Sequence, residues 1–254
     1  MGQELSKKII ANNKLEFVGG FEHKKHKNIN KEFNKVSEIQ SSNLIHSNPT
    51  PSIKLANVLI DFTTPQSTLE NIKIASLNKT AVVIGTTGIS GAQKNKIKIF
   101  SKKIPILMSS NMSLGVNLLF NLVKQTSAAL KEIDYDIEIA ETHHKHKKDA
   151  PSGTALSLGD YAALGRKTSL NKSKILDRTK KLSSRKKGEI GFSVTRGGEI
   201  AGEHTVSFIG KDDRIDLIHK ANNRSIFVKG AIKAAIFLSK QKKGLYSMKD
   251  VVED

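Results

Sequence analysis

Cysteine is absent from all 254 residues, which excludes disulfides and thiol catalysis. Long apolar runs are absent too. None approaches a membrane span, and the opening Met1-Gly2-Gln3-Glu4-Leu5-Ser6-Lys7-Lys8 lacks the apolar core of a secretory leader, so a cytoplasmic protein with no membrane partner is expected. Residues 1–6 also fit the myristoylation pattern, a motif too short to carry weight. Aromatic residues make up only 5% of the chain, and no zinc-finger, helix-turn-helix or base-stacking motif accompanies the formal net charge of +18. Arginine is scarce as well, at 166, 178, 185, 196, 214 and 224 against 36 lysines. Lysine, asparagine and isoleucine are spread over the whole length, a compositional drift rather than a phosphate-binding patch, so no nucleic-acid partner is expected. Attraction of an anionic cofactor and substrate is a sufficient use for the charge.

The 37% of hydrophobic residues suffice for one large or two modest domains. In the first half, residues 15–21, 57–62, 81–85 and 104–108 are short apolar runs bounded by turn residues, the pattern of buried parallel strands. Helical stretches lie between them. The clearest starts with Thr64 as N-cap and Pro65 in the first helical position and runs through Leu69, Ile72 and Ala75. Such alternation predicts a doubly wound α/β domain with ligands at the carboxyl ends of its strands. Gly85-Thr86-Thr87-Gly88 and Ser109-Ser110-Asn111-Met112 fall at such ends, although turns of these kinds are weak signals alone. From about Ser113 a helix runs to about Lys131, followed by strand-like runs at 135–141, 189–195, 204–209 and 214–220 with a further helix after residue 155. This part reads as a mostly antiparallel sheet with helices on one side, with residues 170–187 as an exposed loop.

The densest chemistry lies in Glu141-Thr142-His143-His144-Lys145-His146-Lys147-Lys148-Asp149-Ala150-Pro151-Ser152-Gly153-Thr154-Ala155. The preceding strand has Tyr135, Ile137 and Ile139 on one face and carboxylates on the other, and Pro-Ser-Gly-Thr opens a helix, so the run is a strand-to-helix loop. The backbone N–H groups of Ser152, Gly153 and Thr154 would point out of the helix start, where a carboxylate is favoured. His143 and His144 suit proton shuttling near neutral pH, and Lys147 can donate a proton or pair with a second carboxylate. Together they describe a site for a small dianion. Three histidines in four residues could ligate a metal, but Lys145, Lys147 and Lys148 would repel it, and no metal is expected.

The pattern E-x-H-H-x-x-K-x-D-A-P-S-G-T-A from Glu141 to Ala155 resembles the signature of the dihydrodipicolinate reductase family. The resemblance extends, in the family's order, to Asp61-Phe62-Thr63-Thr64-Pro65, Gly85-Thr86-Thr87-Gly88, residues 111–117, Gly202-Glu203-His204-Thr205 and residues 220–224, nearly the whole chain. It implies a Rossmann-like doubly wound parallel sheet, a dinucleotide-binding domain of residues 1–114 and 225–254. An inserted α+β domain, 115–224, would bind substrate and form a homotetramer. It also implies a reaction, reduction by NADH or NADPH of 4-hydroxy-tetrahydrodipicolinate to tetrahydrodipicolinate and water. His143 matches the proton donor with Lys147 as second donor, and His144, Lys147, Gly153 and Thr154 match contacts to the dicarboxylate substrate. For the cofactor, Glu22 and the adjoining His23 follow the second strand, where an acid accepts from ribose hydroxyls. Gly85, Thr86, Thr87, Ser109, Ser110, Asn111 and Met112 match nicotinamide-side contacts. A different two-domain dehydrogenase would lack the Ala-Pro-Ser-Gly-Thr-Ala turn, and a non-catalytic nucleotide-binding descendant has no reason to keep His143 and Lys147.

One part of the family pattern is not found. Met1-Gly2-Gln3-Glu4-Leu5 matches the end of the glycine-rich turn and the start of the first helix, while the first strand and the earlier glycines have no counterpart. A misplaced start codon or a truncated chain is the expectation, with the missing strand encoded in frame upstream. The 254 residues alone would then bind NAD(P)H poorly or fold badly.

Overall fold

Residues 81–84, Ala-Val-Val-Ile, carry no polar side chain, and all four are buried as an inner strand of a parallel sheet. The computed structural model describes residues 1–36, 41, 43–179 and 183–254, and these divide into two units, Met1–Ser113 with Ser225–Asp254 and Leu114–Arg224. The first unit runs α1 (Gly2–Ile10), β1 (Gly20–Phe21), α2 (Phe33–Val36), β2 (Ile45–His46), α3 (Thr50–Leu55), β3 (Val58–Asp61), α4 (Pro65–Asn78), β4 (Ala81–Ile84), α5 (Gly91–Phe100) and β5 (Pro105–Met108). The second unit contributes α6 (Leu114–Ala129), β6 (Asp136–His143), α7 (Gly153–Gly165), α8 (Leu170–Ser173), β7 (Lys174–Ile175), β8 (Ile190–Arg196), β9 (Glu203–Ile209) and β10 (Arg214–Lys220). The chain then returns to the first unit as α9 (Ser225–Leu238), β11 (Gly244–Tyr246) and α10 (Met248–Glu253).

In the first unit the strands β11-β5-β4-β3 form a parallel sheet, and β1 and β2 pair in parallel as a second, two-stranded one. Val82, Ile84 and Ile106 join Ile53, Ile72 and Ile97 in one core cluster. By strand alternation Val83 and Leu107 face the other side, where α9 lies against β3, β4 and β5. This is the doubly wound arrangement that the alternating runs predict. Thr64 caps α4 by accepting from the Ser67 N–H at 3.3 Å, with Pro65 in the first turn. The strand expected over 15–21 is reduced to Gly20–Phe21, because among the described residues its only ladder is the two-residue pairing with β2, and Gly19 before it takes φ +148°.

The second unit is a five-stranded sheet in the order β10-β9-β6-β8-β7. Its β6–β9 and β9–β10 pairs are antiparallel, whereas β6–β8 and β8–β7 are parallel, so the sheet is mixed rather than mostly antiparallel. The reason is connectivity: the chain passes from β6 to β8 through α7, α8 and β7, a crossover rather than a hairpin. Helices α6 and α7 supply Val116, Phe120, Val123, Leu158 and Ala162 to a core shared with Ile137, Ile139, Val206 and Phe208. The expected loop at 170–187 contains α8 and β7, because Leu170 is drawn into this core, where an added Cβ on Gly159 would sit 2.9 Å from its methyl. Residues 180–182 of that stretch lie outside the described residues.

Candidate active site

Strand β6 alternates strictly, and its buried positions are Ile137, Ile139, Glu141 and His143. Asp136 and Glu138 do lie on the opposite face, as the sequence suggests, but Glu141 continues the apolar side and is 2% exposed. A carboxylate at such a position needs partners for every lone pair. Arg196, at the end of the neighbouring β8, donates from Nη1 to Oε2 at 2.8 Å and from Nη2 to Oε1 at 2.7 Å, a two-pronged pairing suited to its planar fork. The Ser152 N–H donates to Oε1 at 2.9 Å, and His143 Nδ1 lies 2.5 Å from Oε2. Burial alone would raise the Glu141 carboxyl, but Arg196, His143 and Ser152 outweigh it and hold the group below the usual carboxylate range.

An ionised Glu141 offers only acceptors, so the Nδ1 proton belongs to His143 and Nε2 is the free ring nitrogen. Burial pushes the His143 pKa down, Glu141 raises it, and the charges of Lys147 and Arg196 lower it again; the net value is below that of an ordinary histidine. Nε2 faces Gly202, whose backbone at φ +152° presents no side chain; an added Cβ would sit 2.9 Å from that nitrogen. His204, on β9, packs edge-on against the His143 ring at 5.1 Å, and its Nε2 is 3.1 Å from Ser152 Oγ. Burial and the neighbouring His143 push the His204 pKa down to about 4.

Ser152 is the N-cap of α7, its Oγ accepting from the Ala155 N–H at 3.1 Å. Its own N–H, expected to face a ligand, is instead taken by Glu141. The helix start is open at Gly153, where an added Cβ would meet nothing within 4 Å. Lys147, half-buried, holds Asp149 Oδ1 at 2.8 Å, and the pairing with Lys147, aided by the Gly153 N–H, lowers the Asp149 carboxyl. Arg196 Nη2 also donates to the Asp149 carbonyl at 2.7 Å, so one guanidinium ties the loop to the buried carboxylate. The loop is further stitched to the turn after β8 by Gly197 N–H to His143 O at 3.0 Å and Lys145 N–H to Gly198 O at 3.1 Å. His144 is half-buried, with its ring 6.2 Å from that of the exposed His146. Among the described residues no cluster of His, Asp or Glu has metal-holding geometry.

The predicted cofactor residues lie in the first unit. Glu22 follows β1 exposed, its N–H donating to His46 O at 2.9 Å and its Oε1 accepting from the N–H of the exposed His23 at 2.8 Å. After β4, the Gly85 backbone packs under the Phe62 ring, where an added Cβ would come within 2.2 Å. Thr86 turns inward: its hydroxyl donates to Asp61 Oδ1 at 3.2 Å and accepts from Thr68 at 2.8 Å and from the Thr63 N–H at 3.1 Å. Thr87 is exposed. After β5, Ser109 Oγ donates to the Asn111 carbonyl at 2.8 Å and Ser110 is exposed, while Asn111 and Met112 are buried. Asn111 Oδ1 accepts from the Ser113 N–H at 2.8 Å, and the Met112 carbonyl packs on Gly230, where a Cβ would come within 1.7 Å. Thus Glu22, Thr87 and Ser110 present side chains outward, whereas Thr86, Asn111 and Met112 have only backbone to offer. An acidic acceptor with hydroxyl donors is a set that fits the ribose and carboxamide of a dinucleotide.

Sequence reasoning assigned no role to Glu141, Arg196 or His204, and gave Ser152 an anion-facing N–H that Glu141 takes instead. Glu141 was detectable, since it shares the parity of Ile137 and Ile139. Arg196 and His204 meet it only through strand pairing, which no local pattern encodes.

Two sequence profiles match the chain, "Dihydrodipicolinate reductase, N-terminus" over residues 1–112 and "Dihydrodipicolinate reductase, C-terminus" over residues 115–252. The 4-hydroxy-tetrahydrodipicolinate reductase of Zymomonas mobilis is 48% identical over 199 residues, 78% of each chain. The 4-hydroxy-tetrahydrodipicolinate reductase 1 of Mesorhizobium japonicum is 42% identical over 253 residues, 99% of this chain and 93% of its own. Among solved structures, a dipicolinate-bound dihydrodipicolinate reductase from Paenisporosarcina superposes with a TM-score of 0.76 at 24% identity, covering 98% of this chain and 94% of that one.

Proposed function

The chain belongs to the dihydrodipicolinate reductase family, and from that membership we propose how its own residues carry the reaction. The reaction is the NAD(P)H-dependent reduction of 4-hydroxy-tetrahydrodipicolinate to tetrahydrodipicolinate and water, on the route to diaminopimelate and lysine. NADH or NADPH, when bound, supplies the hydride. The first unit takes the dinucleotide, with Glu22 accepting from the ribose beside His23. Thr87 and Ser110 donate from side chains, and Gly85, Thr86, Ser109, Asn111 and Met112 contribute their backbone.

The second unit takes the substrate. One ring carboxylate seats on the Lys147 ammonium and the start of α7 at Gly153 and Thr154, where the helix dipole favours an anion. His144 sits beside the same loop as the further contact to the dianion. Loss of the 4-hydroxyl with a neighbouring ring proton, as water, gives a conjugated imine, and hydride addition to that imine leaves an electron-rich ring that must take up one proton. His143 in its charged form is a stronger acid than an ordinary histidine, and its open Nε2 is the delivering atom. Lys147 is the second donor. The observation that carries this reading is the buried Glu141–His143 pair at the end of β6, joined by one short loop to Lys147 and the helix start.

A homotetramer built through the sheet of the second unit belongs to the same proposal. It is supported by the outward-facing row Ala140, Thr205 and Ile218, the last 54% exposed. Light scattering at micromolar concentration checks it. A cytoplasmic location is proposed with it, testable by fractionation; no helix among the described residues is long and apolar enough to cross a membrane. The activity is tested by following NAD(P)H absorbance with and without freshly generated product of dihydrodipicolinate synthase. Loss of absorbance only with that product supports the proposal, and equal rates in both would overturn it.

A further inference from the structure

The Lys147 ammonium and the Gly153 N–H, the two donors assigned above to a substrate carboxylate, are turned toward a carboxylate of the chain itself. Asp149 Oδ1 lies 2.8 Å from Lys147 Nζ, and the Gly153 N–H helps to lower the Asp149 carboxyl. The partners differ in their freedom. The Lys147 side chain is 21% exposed and that of Asp149 58%, so the cation is the fixed partner and the anion the one facing solvent. The Asp149 backbone is pinned by Arg196 Nη2 on its carbonyl at 2.7 Å, so its carboxylate can leave by side-chain rotation without moving the loop.

Resting on the reading that a substrate carboxylate seats on Lys147 and Gly153, we propose that Asp149 is a specificity-determining residue whose carboxylate occupies that seat in the free protein. An incoming anion must displace it. That cost falls on every anion alike; a ring with two carboxylates has a second contact to set against it, whereas a small monoanion such as acetate has none. The exchange lowers affinity by the fraction of molecules in which the seat is open. An exposed ion pair of this kind corresponds to a factor of about five.

Calorimetric titration of the full chain with pyridine-2,6-dicarboxylate and with pyridine-2-carboxylate tests this, using the native protein, Asp149→Asn, Asp149→Ser and Glu199→Gln. Glu199, in the turn after β8, is the control, because its side chain is 73% exposed and pairs with Lys145 of the Asp149 loop, so its loss removes the same charge from beside that loop and leaves the seat as it was. Both Asp149 variants should bind the dicarboxylate about fivefold more tightly than the native chain and pyridine-2-carboxylate more tightly by the same factor, whereas Glu199→Gln should change either by less than twofold. Unchanged or weaker binding by folded Asp149 variants would overturn the proposal, as would equal tightening by Glu199→Gln, which would mark a general charge effect. A native chain that binds no dicarboxylate removes the substrate-seat reading and this proposal together. A native chain that binds and turns over normally beside indifferent Asp149 variants removes this proposal alone.

Discussion

His143 Nδ1 lies 2.5 Å from Oε2 of Glu141, a residue two positions earlier on the same buried face of the same strand. Period-two alternation makes these side chains neighbours, and the acid fixes both the ring's orientation and its tautomer. His143→Gln keeps a side chain of similar reach but cannot deliver a proton. It should lower kcat by about a hundredfold while changing KM by less than about threefold, because proton delivery acts in the transition state. Steady-state kinetics on both cofactors check this, and a variant with native kcat under chemistry-limited conditions would remove His143 from the mechanism.

Glu141→Gln leaves the Arg196 guanidinium short of its charged partner and the His143 ring without its anchor. Stability should fall by about 3 kcal/mol in denaturant titrations, with kcat reduced roughly tenfold. The folded carboxyl lies below its unfolded value, so its contribution is present above about pH 4.5 and is lost as pH falls through the lowered folded value. Denaturation curves of the native chain and the variant should therefore converge in acid.

His204 acts in a different window. Its folded pKa of about 4 lies below the ordinary histidine value of about 6.5, so between these limits the unfolded chain takes up a proton that the folded chain refuses. Stability from this group is full above about pH 6.5 and is lost as pH falls toward about 4, amounting to about 3 kcal/mol. His204→Gln should flatten the stability profile across that interval; an unchanged slope would show that another group is responsible.

Glu22 would repel a 2′-phosphate, whereas the adjoining His23, Lys24 and Lys25, all exposed, attract one. NADH and NADPH should therefore have KM values within about tenfold of each other, and Glu22→Gln should shift the ratio toward NADPH. A thousandfold preference in the native chain would contradict this balance.

Much of the fold was legible because its carriers are local. The apolar run at 81–84, the Thr64-Pro65 helix start and the Ser152 cap each announce themselves within a few residues. The partners of the site were not, since Arg196 and His204 approach Glu141 and Ser152 only when strands far apart in sequence pair. One composition signal did point there. In a chain of 36 lysines, arginine occurs six times, and among the described residues five of them make hydrogen bonds to carboxylates or backbone carbonyls: Arg166 to Tyr135 O, Arg178 to Glu189, Arg185 to Glu138, Arg196 to Glu141 and Arg214 to Asp216. A lysine cannot reproduce a planar, multi-pronged donor, so where composition runs to lysine the surviving arginines mark geometry that matters. The mixed sheet escaped for the opposite reason: strand runs look alike whether they pair parallel or antiparallel, and only the crossover through α7 decides.

Arg196 reaches Glu141 across 55 positions of chain. On a ribosome adding roughly 5–20 residues per second, that interval lasts roughly 3 to 11 seconds. During it, β6 and the start of α7 have emerged, but the guanidinium that allows Glu141 to be dry has not been made. Through that interval the buried carboxylate on β6 has no charged partner, and β8 is the strand that brings it.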